Sequence, residues 1–570
     1  MVGTFQSVIR MLISLGKATP EMIRKFCLDH GWIIIWAIGL LIALMVRPLL
    51  PSDETRYVSA AWEMWSRGDF LVPHLNGETY SHKPPLMFWS IHAGWSLFGV
   101  NDWWPRLVSP LAGLGAIFAA RALAANLWPG KPEVSGLVPW LLTGTLFWSL
   151  FGTVTMFDMW NALLATVGLL GVVLAVRGKM VQGFGILGLA IGFGVLAKGP
   201  VILLYTLPPV LLAPWWLPSD CTIKLRNWYL ATLAAILLGA VIGLCWALPA
   251  ALAGGDAYAK AIFWGQTAGR VEKSFAHGRP MWWYLPLLPL LLFPWIMWPR
   301  LWRLKVALPG REAWPVRLAL CWFLPAFIAF SFISGKQPHY LLPMFPALAL
   351  LAAFKLGEDQ MPDERVPDEQ VNGRWDQRLP ALMVLLTGLV LTLVPASFQV
   401  APDLWMNVHT PGWLADVSPL GGLVLIILAG LMLRWNTGPS FVTIRKMTLV
   451  GPVIVAVIHL FVFSAAAPAY DLKAVSQWIA ARQLEGKPVA WRKKYHSQFH
   501  FLGRLKTPIL VVKNQPLSEW FAANPDGVMI MIHRNPPPPG LKARYEQPFR
   551  GRYLAIWGAE ALATGIKLPE

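Results

Sequence analysis

PSDETRYVSAAWEMWSRGDFLVPHLNGETYSHKPP, residues 51–85, follows directly on the first long apolar run of the chain. It gathers Asp53, Glu54, Arg56, Tyr57, Glu63, Arg67, Asp69, His74, Tyr80, His82 and Lys83. Only 14% of the 570 residues are charged, so this stretch marks a boundary between oil and water. Carboxylates beside cations at such a boundary point to chemistry on a charged headgroup.

The runs around it decide the fold class. Hydrophobic residues make up 56% of the chain and mean hydropathy is +0.51. Apolar segments near the ~20-residue length that spans a bilayer recur along the sequence. After a first at about 31–50 they follow at about 107–127, 137–156, 160–177, 182–198, 200–217, 228–251, 281–301, 316–334, 340–356, 381–399, 417–434 and 449–467. The ~10-residue alternation of a membrane barrel is not seen. The expectation is an all-α polytopic membrane protein of about thirteen transmembrane helices. No small-residue cleavage site follows Gly31–Val46, so that segment reads as a retained anchor.

Arg10, Lys17, Arg24 and Lys25 precede the first span and place the N-terminus in the cytoplasm. Even-numbered connections are then cytoplasmic, and they carry Lys179, Lys224, Arg226, Arg300, Arg303, Lys305, Arg311, Arg434, Arg445 and Lys446. The acidic, proline-containing connection 357–376 reads as a solvated linker.

The outer connections also collect cations, against that trend. They hold Lys83, Lys198, Lys260, Arg270, Lys273, Arg279 and Lys336, with His339 and Tyr340 beside the last. Phosphate is the obvious partner for cations on that side. Within the first outer loop, 51–106, Val58, Ala61, Trp62 and Trp65 have helical spacing. A second helix is expected at 86–98, opened by Pro84–Pro85. Both are expected to lie along the outer membrane face, with Trp at headgroup depth.

Beyond 467 the composition changes. DLKAVSQWIAARQ and LSEWFAA read as helices; PVAWR, TPILVV, GVMIMIH and RYLAIWG read as strands. A small α/β domain outside the membrane is expected over 468–570, with the membrane domain over 1–467. His496, His500 and His533 read as surface or packing residues, since their spacing fits no metal site. The four cysteines form no CxxC pair, so neither a disulfide framework nor a zinc site is expected. The +18 formal charge comes with no basic soluble module, so nucleic acid is not an expected partner. No internal repeat is seen, which disfavours an inverted-repeat transporter.

A sugar linked to a lipid phosphate leaves with a phosphate monoester, which needs charge neutralisation more than protonation. Lys and Arg supply that. The acceptor needs a carboxylate that takes its proton or orients it. No metal is strictly required for such a step, and the sequence leaves a divalent ion open. Asp53 is the best candidate carboxylate, and it reads equally well as the cap of the following helix, a role open to Ser52 too. Lys83 also reads as a surface anchor, Asp158 as a helix cap, and Lys198 as a snorkelling side chain.

SDETRY at 52–57, the Glu63 and Gly68–Asp69–Phe70 spacing, and Tyr80–Ser81–His82–Lys83–Pro84–Pro85 followed by Trp89 closely resemble the ArnT-type lipid A aminoarabinose transferases. These belong to the protein O-mannosyltransferase-like group of GT-C glycosyltransferases. LAKGP at 196–200, HGRPMWWYLP at 277–286 and KQPHYLLPMFPALALL at 336–351 are similar to the matching family segments. The resemblance implies Asp53 as the catalytic aspartate and Arg56, Lys83 and Arg270 as phosphate-binding cations. It implies Tyr57, Tyr80, Asp158, Lys198 and Tyr340 as pocket residues, and Lys336, His339 and His82 fall beside them. It also implies a polyprenyl-phosphate sugar donor, undecaprenyl in bacteria, used with inversion at the periplasmic face of the inner membrane, and an acceptor that is lipid A, another glycan or a protein. One departure stands out: His82 occupies the position where aminoarabinose transferases commonly have Glu, so a neutral sugar is also open. A non-enzymatic lipid transporter or flippase is the remaining alternative, disfavoured by the one-sided charge cluster.

Overall fold

The computed structural model describes residues 20–265, 278–303, 313–358, 376–401, 405, 410–435, 440–537 and 540–563. Among these, nine helices are long and apolar enough to cross a bilayer, and three shorter apolar helices accompany them. The chain is a multi-pass, mostly helical membrane protein carrying a small C-terminal sheet.

Three expected spans are not continuous helices, that at 200–217 only through a break at Leu212 between Ile202–Leu211 and Ala213–Trp216. The run at 137–156 breaks into Pro132–Gly144 and Leu146–Phe151, because Thr145 between them is extended. Trp295 fills that break, its indole Nε1 donating to Leu141 O at 2.9 Å and Thr145 Oγ1 at 3.1 Å. The run at 281–301 is a series of short turns, Met281–Leu287, Leu288–Leu291, Trp295–Met297 and Pro299–Arg303. Pro286, Pro289, Pro294 and Pro299 each remove an amide donor that a long helix would need.

The helices Asp158–Val176 and Met180–Lys198 form an antiparallel pair joined by only three residues. A Cβ on Gly171 or Gly183 would collide with the facing carbonyl, so the backbones touch through small residues. This close pairing sets the start of one helix, Asp158, beside the end of the other, Lys198.

The first-loop helix runs Asp53–Arg67 and ends at Gly68, whose φ of 69° supplies the left-handed turn. Ser52 makes no side-chain capping bond. The second helix, Leu86–Phe98, matches expectation. Between them β1 (His74–Leu75) and β2 (Glu78–Thr79) form a hairpin through Asn76–Gly77, both at positive φ. Asn-Gly is a strong hairpin signal that the sequence reading passed over.

The C-terminal domain is a five-stranded sheet in the order β4-β3-β5-β7-β6. The strands are β3 (Val489–Arg492), β4 (Leu510–Val512), β5 (Val528–His533), β6 (Tyr545–Phe549) and β7 (Arg552–Trp557). β3 is parallel to β4 and β5; β7 is antiparallel to β5 and β6. β6 is the strand that sequence missed, since its YEQPF alternates only weakly. Val475 and Ile479 of helix Lys473–Leu484 pack on one face, with Trp520 and Phe521 on the other. His533 is buried and its Nε2 accepts from Trp557 Nε1 at 2.9 Å. His500 bonds the Tyr495 hydroxyl at 3.0 Å.

This domain docks on the first loop, which corrects one expectation. Trp62 does not face headgroups: it is buried, and its Nε1 donates to Leu505 O at 2.9 Å. Phe501 N donates to Ser59 Oγ at 3.1 Å, and Trp95 stacks on Phe501. Asn76 exchanges two hydrogen bonds with the Ile509 backbone, at 3.0 and 2.8 Å. Arg504 pairs with Asp102 at 2.6 Å. The helix Asp53–Arg67 is therefore held between the helical bundle and the sheet domain.

Candidate active site

Asp53, Arg56 and Tyr57 share one helix face through i, i+3, i+4 spacing. Arg56 donates to the Asp53 carboxylate, and the Tyr57 hydroxyl stands 3.5 Å from the same oxygen. Burial, with Asp53 next in effect, pushes the Tyr57 phenol well above its ordinary value, so it remains a donor. The Asp53 side chain is 56% exposed, which leaves it open to an incoming group.

Lys83 reaches in from the segment before the second helix. Its Nζ lies 5.3 Å from the Phe157 ring centre and 5.9 Å from that of Tyr57. Tyr80 stacks on His82 with centroids 5.4 Å apart, leaving His82 exposed and Tyr80 buried.

Asp158 begins its helix and Lys198 ends its own, and the two pair at 2.5 Å. Each charge sits where the helix dipole favours it. Lys198 therefore does more than snorkel. The same ammonium lies 4.5 Å from the Tyr340 ring centre, and His339 Nε2 is 3.9 Å from Asp158. His339 and Tyr340 belong to the 3-10 turn Pro338–Met344. Tyr205 and Tyr284 brace this turn by donating to Tyr340 O at 2.8 Å and Gln337 O at 3.1 Å.

Tyr57 lies against both Asp53 and Lys83, Lys83 also reaches the ring of Phe157, the residue before Asp158, and Asp158 meets Lys198 and His339, so these residues form one cluster. Three cations, Arg56, Lys83 and Lys198, face two carboxylates, Asp53 and Asp158. The surplus of positive charge suits a phosphate. Lys336 is placed differently: its buried ammonium donates to Ile333 O at 2.6 Å and Arg279 O at 3.1 Å, closing the loop backbone. Arg270 lies outside the described residues.

Sequence reasoning missed the residues that fix this geometry. Arg47, just past the first long helix, donates to both oxygens of Glu54 and to Thr153 O at 2.9 Å. Glu54 also accepts from Leu50 N at 2.8 Å and Thr155 N at 2.7 Å. Burial alone would raise the Glu54 carboxyl, but Arg47 and the two amides hold it below the usual carboxylate range. This knot locks the helix bearing Asp53 to the segment leading into Asp158. In sequence, Arg47 looks like any cation at the end of a span.

The structure aligns with that of ArnT from Cupriavidus metallidurans bound to undecaprenyl phosphate at a TM-score of 0.64, with 22% identity over 93% of this chain and 99% of that one. The chain has the ArnT-like GT-C fold. The ligand-free ArnT structure from the same organism gives the same result, at a TM-score of 0.65 and 20% identity. The family model for dolichyl-phosphate-mannose-protein mannosyltransferases matches residues 82–246, a segment with Lys83, Asp158 and Lys198 but without Asp53. An undecaprenyl phosphate-alpha-4-amino-4-deoxy-L-arabinose arabinosyl transferase of Edwardsiella ictaluri is 32% identical over 57% of this chain and 59% of its own length. A second relative of that description, from Pseudomonas fluorescens, is 30% identical over 62% and 64%. The match thus spans under two thirds of these curated relatives. On the ArnT-like fold, the sequence motifs of the first loop and the cluster coincide.

Proposed function

We propose that this chain is an inner-membrane glycosyltransferase that moves a sugar from a polyprenyl-phosphate donor to an acceptor at the periplasmic face. The observation that carries this reading is one cluster holding the exposed Asp53 beside Arg56 and Lys83. The undecaprenyl phosphate named for the relatives and for one solved ArnT supports the donor class.

An acceptor oxygen attacks the anomeric carbon from the face opposite the phosphate, and the carbon–oxygen bond to phosphate breaks. The electron pair leaves on the polyprenyl phosphate, whose charge Arg56 and Lys83 neutralise. If the acceptor is a hydroxyl, Asp53 takes its proton; if it is a phosphate oxygen, already anionic, Asp53 orients it. Asp158 and Lys198 hold the pocket wall with Tyr340 and His339. Lipid A is the acceptor the resemblance favours, with a surface glycan or protein as the change-of-acceptor alternative.

The decisive experiment is Asp53→Asn in purified full-length protein supplied with a polyprenyl-phosphate sugar. Transfer should vanish while folded protein is recovered in full. Undiminished transfer would remove Asp53 from the mechanism.

A further inference from the structure

The helix that carries Asp53 is met at its start by the other domain. β6 and β7 are joined by a two-residue turn, since Phe549 pairs with Arg552 and leaves Arg550–Gly551 as the loop. Both loop residues are left-handed, Arg550 at φ 54° and Gly551 at φ 75°. A hairpin turn of that kind favours Asn-Gly, because Asn tolerates the left-handed region where an arginine with its Cβ is strained. The first-loop hairpin turns the same way and does use Asn76–Gly77. Arginine in the Asn position weakens the turn and supplies a long donor, and strain of this sort gathers at functional sites.

That donor reaches the helix of Asp53. Arg550 Nη1 donates to Ser52 Oγ at 3.1 Å. Ser52 immediately precedes Asp53, and its hydroxyl makes no capping bond in its own helix. Ser52 O accepts from Arg56 N at 3.2 Å, so the place of Ser52 sets where the helix begins. Asp53 meets Arg56 and Tyr57 on that same helix, and its carboxylate goes where the helix start goes.

The hairpin is itself anchored on the membrane bundle. Arg550 N donates to Ala469 O at 3.0 Å, in the helix Ser464–Tyr470, and Gln547 Nε2 donates to Asp471 O at 3.1 Å. Gly551 lies against Pro411, where a Cβ would come within 3.3 Å of the proline ring. The turn thus bridges the last membrane helix, an outer turn and Ser52.

We propose that Arg550 is a positioning residue for transfer: acting through Ser52, it fixes the start of the Asp53–Arg67 helix against the last membrane helix and so sets the Asp53 carboxylate for the reaction. This rests on the transferase reading and adds to it a residue from the far end of the chain.

The test uses the full-length protein in nanodiscs, with an undecaprenyl-phosphate sugar as donor and lipid A as acceptor. Arg550→Asn suits the turn better and removes the long donor. The unfolding midpoint should therefore hold or rise while kcat falls by about three- to tenfold, the scale of one hydrogen bond, with KM unchanged for both substrates. A residue with a merely structural role would lower the midpoint and the rate together. Ser52→Ala should give the same loss of kcat, and the two substitutions together should lose no more than either alone. Arg550→Lys keeps a long donor and should restore most of the rate. Hydrogen exchange at the Thr55 and Arg56 amides, which bond Leu50 O at 3.3 Å and Ser52 O at 3.2 Å, gives a readout apart from activity. Relative to the intrinsic rate it should rise in Arg550→Asn and in Ser52→Ala, and stay level over Met64–Arg67. Unchanged kcat, additive losses, or unchanged exchange at Thr55 and Arg56 overturns the proposal. A raised KM for the acceptor at constant kcat also overturns it, since Arg550 would then touch the acceptor directly. Failure of the transferase reading shows separately, as no transfer by the unsubstituted protein, and exchange at Thr55 and Arg56 then still decides whether Arg550 holds the helix start.

Discussion

Arg47 and Glu54 bury a charge pair between the end of the first long helix and the start of the helix carrying Asp53. Both side chains are almost wholly inaccessible, at 0% and 1% exposure. Thr153 O and the amides of Leu50 and Thr155 complete the knot. Three segments are thereby fixed around the site by one ion pair.

Removing one partner leaves an uncompensated buried charge. Glu54→Ala should destabilise the protein by about 3–5 kcal/mol, read as a lower unfolding midpoint in detergent. Arg47→Met combined with Glu54→Leu should recover a large part of that loss, since the desolvation of both charges is removed as well. Glu54 titrates below its unfolded value, so its contribution is present above the ordinary carboxylate pKa and is lost as pH falls through the lower, folded one. Its stability share should therefore survive mild acid and disappear only below about pH 4.

Acid should loosen the domain contact earlier. His500 is buried, which lowers its pKa to about 4, and it lies 3.8 Å from Glu63. A histidine with a depressed folded pKa contributes stability above its unfolded value near 6.5 and loses it as pH falls from there toward 4. His92, also lowered to about 4 by burial, works in the same window. Burial raises Glu63 despite the amides of Asn76 and Gly77, so its protonation on acidification partly opposes the loss. Protection from hydrogen exchange in the His74–Thr79 hairpin, taken relative to the intrinsic rate at each pH, should fall between pH 6.5 and 4, and His500→Gln should flatten that fall.

Asp158 and Lys198 should behave as a unit. Asp158→Asn or Lys198→Met alone should cut sugar transfer strongly, each leaving a buried charge unmatched. The double substitution should lose less than the sum, with a coupling on the order of 1–3 kcal/mol in a double-mutant cycle. Additive losses would place the two residues in independent roles.

The exposed ring of His82 stacks on Tyr80, at the position where the resembled family commonly has Glu. His82→Glu should improve the kcat/KM for an aminated sugar donor relative to a neutral one by about tenfold, the value of one charge-assisted contact. The competing-donor ratio in one reaction mixture measures this directly.

The sequence by itself determined the class of this protein. Apolar runs of bilayer length report on transfer from water to oil, a property of composition alone, so helical membrane architecture was legible in them. The first-loop helix was legible because helical spacing is local, while the shared face of Asp53, Arg56 and Tyr57 came with the structure. Asp158 and Lys198 were visible as polar residues in apolar surroundings. Their pairing was not, because it joins two residues forty positions apart through glycine-mediated contact between successive helices. The breaks at Thr145 and across Pro286–Pro299 were likewise hidden, since hydropathy reads oiliness and not backbone continuity. Only the tertiary structure decided what Arg47 and Glu54 do, that Trp62 faces a protein domain, and that Arg550 reaches Ser52, beside Asp53, from nearly five hundred residues away. Charge pairing and burial across such separations are set by packing, and packing has no period that a linear sequence displays.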